Sequence, residues 1–139
     1  MTWVLFDYGN VICQPQPERD VARLAEVAGC AVADLLTPYW AYRLDYDRAA
    51  LDVTGYWQQV AADLGGSFTG PQIAELSRLD AGSWLHLRPA SVDLVAGLAA
   101  AGVRLAGRRC SQDPASTRLS SAICGSVKRP PRSAATCCQ

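Results

Sequence analysis

The strongest constraint on this chain is a change of material near residue 106. Residues 1–106 hold 7 basic and 12 acidic side chains, a net charge of −5, whereas residues 107–139 hold 6 basic and 1 acidic, a net charge of +5. Every aromatic residue lies at or before Trp84, while Cys110, Cys124, Cys137 and Cys138 all fall beyond the break. A core needs bulky apolar side chains to offset the entropy of ordering the chain, and Leu119, Ile123 and Val127 are nearly all that the last third offers. The expectation is a folded part ending near Ala106, then a basic tail, 107–139, rich in Cys, Ser, Arg and Pro and disordered.

Over all 139 residues, 50% hydrophobic content and 13 basic against 13 acidic groups describe a globular chain with no electrostatic pull toward nucleic acid. The tail's positive charges are sparse and have no aromatic side chains among them for base stacking, which points the same way. Thr2 to Phe6 leads straight to Asp7 with no basic segment ahead of a long apolar one, unlike a signal peptide. The most apolar stretch, 92–106, is broken by Asp93, Gly97, Gly102 and Arg104, too early for a membrane span. A cytoplasmic location with reduced cysteines is expected, with no membrane partner. Irregular cysteine spacing, with the one histidine, His86, far away, argues against zinc.

Trp3-Val4-Leu5-Phe6 is a short continuous apolar run ending at Asp7, which suits a buried strand that delivers an acid at its carboxyl end. Val21, Leu24, Ala25 and Ala28 recur at helical spacing before Gly29. Leu35, Leu36, Tyr39, Trp40 and Leu44 form a second helical region in which Pro38 must sit in the first turn or bend the helix. Thr54 is positioned to cap a helix through Leu64, and Thr69-Gly70-Pro71-Gln72 has the pattern of a capping box. Ser91 is positioned to cap a helix that ends at Gly102, and residues 103–106 read as the next strand. A helix followed by a parallel strand, with a right-handed connection, places 103–106 beside Trp3–Phe6.

Phe6-Asp7-Tyr8-Gly9-Asn10-Val11-Ile12 resembles the first motif of the haloacid-dehalogenase-like hydrolase superfamily. The Trp- and Tyr-rich helical stretch has the position and length of that family's helical cap, and 83–89 with 98–106 look like the return into its core. The resemblance covers about residues 2–106. It implies an α/β fold: a partial Rossmann-like core from 1–16 and 88–106, and an inserted all-helical cap from 17–87. It also implies a phosphatase-type hydrolase in which Asp7 attacks the substrate and forms a covalent intermediate that water hydrolyses. Mg²⁺ would lie against Asp7 and the Gly9 carbonyl, and the substrate would be small and phosphorylated or otherwise anionic. Asn10 either touches substrate or simply tolerates a left-handed backbone. In the cap, Tyr39, Trp40, Arg43 and Tyr46 are candidates for substrate choice. The alternative is that Trp40 and Trp57 are the bulk that holds a helical bundle together.

The chain departs from the family pattern in two places. Gly9 stands where many family phosphatases carry a second aspartate as acid/base, so leaving-group protonation has no evident agent. After residues 103–106 the family continues with two apolar residues and then Ser or Thr followed by Asn. Here Gly107-Arg108-Arg109-Cys110-Ser111-Gln112 follows, with Ser111 an imperfect substitute. Lys128 and Asp113 do not stand where the family's later lysine and acidic metal ligands would. The expectation is a truncated, catalytically impaired hydrolase, or a non-catalytic homologue that binds a partner. A shift of reading frame after Ala106 would explain the break.

Overall fold

A computed structural model describes residues 3–107. Ser111, Asp113, Lys128 and the expected disorder of the tail lie outside the described residues. The described residues are mostly helical, with a two-strand parallel sheet among them. No described helix is long and apolar enough to cross a membrane.

Strand β1 is Trp3–Phe6 and β2 is Arg104–Gly107, paired in parallel with Trp3 opposite Arg104 and Phe6 opposite Gly107. Gly107, placed in the tail on composition, is thus the last residue of β2. The pairing requires a long crossover, and the whole helical segment lies within it. Strand alternation puts Val4, Phe6 and Leu105 on one face, packed with Ile12, Val95, Leu98 and Val103. The other face presents Trp3 and Leu5, 41% and 67% exposed, with Arg104 over the Trp3 ring.

Five helices make up the insert: α1 Glu18–Ala28, α2 Val32–Ala41, α3 Arg43–Asp47, α4 Val53–Asp63 and α5 Gly70–Ser83. Glu18 and Asp20 favour the start of α1 by facing its partial positive charge. Gly29 ends it at φ 73°, where a Cβ would be strained, and sends its N–H back to the carbonyls of Ala25 and Glu26. Helix α5 has the capping box read from sequence: Gln72 N–H donates to the Thr69 hydroxyl, and Thr69 N–H to the Gln72 side chain. The buried faces meet in one cluster around Leu24, Leu35, Tyr39, Tyr56, Trp57, Val60 and Leu76. Tyr46 stacks on Tyr56 at 4.6 Å, and Tyr56 meets Trp57 edge-on at 5.0 Å.

The way in and the way out of this helical unit run side by side. Cys13 bridges antiparallel to Leu87, the Gln14 N–H donates to the His86 carbonyl at 2.7 Å, and the Arg88 N–H donates to Ile12 at 2.8 Å. Helix α6, Pro89–Ala100, then returns the chain to β2, and Gly102 at φ 77° makes the turn.

Two local expectations need correction, and a third is narrowed. Asp52, not Thr54, caps α4, accepting from the Gly55 N–H at 2.6 Å. Ser91 does not cap α6, which begins at Pro89; its hydroxyl donates to the Val11 carbonyl at 2.6 Å. Pro38 sits in the interior of α2 rather than its first turn. Its ring lies on the buried face of that helix with Leu35 and Tyr39.

Candidate active site

Asp7 follows the last residue of β1 in extended conformation, φ −76° and ψ 149°, and is exposed. Its carboxylate Oδ1 accepts from the Tyr8 N–H at 2.9 Å. A carboxylate beyond the carboxyl end of a parallel strand stands where open α/β sheets place their ligands.

A wide turn, Tyr8–Ile12, with Gly9 and Asn10 outside helical backbone angles, carries the chain away from Asp7, and the Cys13 N–H closes it onto the Tyr8 carbonyl at 3.0 Å. Inside the turn Asn10 takes φ 58° and ψ 0°, the left-handed region that asparagine enters more readily than most residues. The left-handed backbone is one of the two roles read for Asn10 from sequence. The Tyr8 hydroxyl donates to the Trp84 carbonyl at 2.8 Å, so the turn rests on the last part of the helical unit. Burial pushes the Tyr8 phenol up, with Cys13 adding to the shift. Burial also pushes the fully buried Cys13 thiol up; backbone hydrogen bonds oppose this, Asp7 adds to it and Arg88 opposes it.

The cap candidates separate. Arg43 is buried, and its Nη1 donates to both Asp80 oxygens, at 2.9 and 3.1 Å, and to the Tyr39 hydroxyl at 2.8 Å. Its Nε donates to Asp47 at 3.1 Å. Burial works against the guanidinium charge, but Asp80, Tyr39 and Asp47 outweigh it and hold the arginine more firmly protonated than usual. Tyr46 is buried against Tyr56 and Arg43. Arg43 and Tyr46 are therefore built into the interior of the helical unit, together with Trp57. Trp40 remains half-exposed, edge-on to Tyr39 and to Trp84.

Sequence reasoning missed the centre of that network. Asp80 also accepts from the Tyr39 hydroxyl at 2.5 Å and from Trp84 Nε1 at 3.3 Å, while Gln16 reaches in to Tyr39 and Ser83. A signal was present: Asp80 lies on the same face of α5 as the buried Ile73, Leu76 and Ser83, and a buried acid demands a partner. His86, named from sequence as too far from the cysteines for a zinc site, pairs with Asp20 of α1 at 2.8 Å.

For Mg²⁺ the described residues offer the Asp7 carboxylate and the Gly9 carbonyl. No group of three His, Cys, Asp or Glu side chains able to hold a metal forms among the described residues. One carboxylate with one carbonyl does not make up an Mg²⁺ ligand set among the described residues. A cavity of about 600 Å³ lies elsewhere, lined by Cys30, Asp34, Thr37, Pro38, Asp63 and Leu64 of the helical unit.

No family model, curated protein or solved structure matches the chain.

Proposed function

We propose that the chain is a haloacid-dehalogenase-like hydrolase of the phosphomonoester phosphatase type, cytoplasmic, with Asp7 as nucleophile and its catalysis impaired. On this reading 17–87 is the helical cap, and 1–16 with 88–106 are part of the α/β core. The observation that carries it is the exposed Asp7 at the carboxyl end of β1, beside the parallel strand β2.

With Oδ1 engaged by the Tyr8 amide, Oδ2 is the attacking oxygen. It would form a bond to phosphorus as the ester P–O bond breaks, and water would then release phosphate from Asp7. The departing alkoxide needs a proton, and Gly9 has none to give. Arg43, saturated by Asp80 and Asp47, is not available to offset charge on the transferring group. Such charge stabilisation is usually the largest contribution to catalysis, which is why impairment is expected.

Hydrolysis of a generic aryl phosphate by the full chain with Mg²⁺ tests this. Turnover at background is expected, and Asp7→Asn should lower any residual turnover at least about a hundredfold. Robust Asp7-dependent turnover would overturn the impairment. Turnover that survives Asp7→Asn would overturn the nucleophile assignment.

One observation favours the second reading, a non-catalytic homologue that binds a partner. Among the described residues Trp3 and Leu5 leave one face of the sheet exposed, whereas parallel sheets are ordinarily covered on both.

A further inference from the structure

We infer that Ser91 and Arg88 are positioning residues for Asp7, acting through the backbone of the turn that follows it. The inference rests on the reading of Asp7 as nucleophile. Three successive carbonyls of the turn, those of Asn10, Val11 and Ile12, are each taken by a donor from the start of α6. Arg88 Nη2 reaches Asn10 at 3.5 Å, Ser91 Oγ reaches Val11 at 2.6 Å, and the Arg88 N–H reaches Ile12 at 2.8 Å. Holding three carbonyls in series holds the peptide planes between them, and so the direction in which the turn leaves Asp7.

Two features make that hold consequential. Asn10 sits at φ 58°, a left-handed conformation that asparagine tolerates and that turns the chain at the first of the held carbonyls. The Asp7 carboxylate is itself fixed to the N–H of Tyr8, the first residue of the same turn. A shift of the turn therefore moves the carboxylate, and a misplacement of about 1 Å can lower a rate by about a hundredfold. Ser91 shows the diversion most clearly. It lies in the first turn of α6, where a serine ordinarily serves its own helix, yet its hydroxyl crosses to Val11, 80 residues away.

The test uses the full ¹⁵N-labelled chain, Ser91→Ala and Ser91→Thr, with amide resonances and hydrogen exchange as readouts. In Ser91→Ala the Tyr8, Gly9 and Asn10 resonances should shift. Exchange at the Cys13 amide, which closes the turn, should quicken about twofold to twelvefold, the factor for one net hydrogen bond. Amides of α4 and α5 should not change, and Ser91→Thr should restore the turn. Unmoved Tyr8–Asn10 resonances, a disturbance shared equally by α4 and α5, or no rescue by threonine would each overturn the inference. Asp7→Asn, assayed alongside, keeps the two ideas apart. Aryl phosphate hydrolysis indifferent to that substitution removes the nucleophile reading, whereas the Ser91 response reports on the clamp itself.

Discussion

Replacing Asp80 by Ala tests whether Arg43 holds the helical unit together or serves a substrate. In the native chain Asp80 is 5% exposed and accepts from Tyr39, Arg43 and Trp84. Its removal leaves the guanidinium, itself 7% exposed, with Asp47 as its remaining carboxylate. Breaking a buried ion pair from one side costs about 3–5 kcal/mol, and the surviving Asp47 contact sets the expectation at about 3 kcal/mol. The Tyr39 hydroxyl keeps the Arg43 contact but loses its acceptor, which pushes the figure up rather than down. Urea unfolding followed by tryptophan fluorescence reads this directly, since Trp57 is buried in the same cluster. Arg43→Met with Asp80→Leu should recover at least about 1 kcal/mol of the loss, because removing both partners leaves no stranded charge. A loss under about 1 kcal/mol for Asp80→Ala, or a double variant worse than the single, would refute the argument and return Arg43 to the list of substrate ligands.

Thr69→Ala should lower stability by about 0.5–2 kcal/mol by dismantling the capping box of α5, with chemical denaturation as the check; an unchanged midpoint would mean the cap is redundant. Stability should fall as pH rises past about 10. Burial above all raises Tyr39 and Tyr56 over the ordinary phenol value, so above pH 10 the unfolded chain loses protons that the folded chain keeps. Their contribution is complete below pH 10, and Tyr39→Phe should flatten the alkaline limb; a limb of unchanged slope would count against it. Amide exchange should be slowest in α4 and α5 and faster in β1 and β2, because the sheet has only two strands among the described residues; the reverse order would reject this ranking of the two clusters.

Much of the fold was legible because its signals are local. Trp3–Phe6 is a strand as read, β2 is displaced by one residue, and Gly29, Gly102 and the Thr69 box end or start helices where their chemistry says they should. The misreadings arose where two residues offered the same local chemistry, or where a distant group claimed one. Asp52 and Thr54 are both good caps two positions apart, and Pro89 already marked the start of α6 as a proline suited to the first helical turn. Ser91 was claimed by Val11, and Arg43 by Asp80, 37 residues away. A charged cluster such as Arg43, Asp45 and Asp47 looks solvated in sequence, and only the Asp80 side chain, arriving from α5, makes its arginine interior. For the site, Asp7 and its turn were legible as one short motif. The donors that hold the turn were not, because they arrive from beyond the helical insert.

The distribution of core between the two clusters bears on how such a site keeps its shape. Twelve buried residues, among them Trp57 and three tyrosines, hold the helical unit, whereas Ile12, Val95 and Leu105 are the buried residues under the sheet. A two-strand sheet is marginal by itself, so Asp7 stands on the weaker support. Its turn, however, is tied at Tyr8 to the carbonyl of Trp84, whose indole donates to Asp80 at the centre of the buried network. The remaining ties come from Arg88 and Ser91, just past the strands that lead in and out of the helical unit. The position of the carboxylate is thus referred to the helical unit through Trp84 and to the start of α6, and not to the sheet alone. A helical insert that follows the acid and its turn in sequence thereby supports that turn, whether or not anything binds above it.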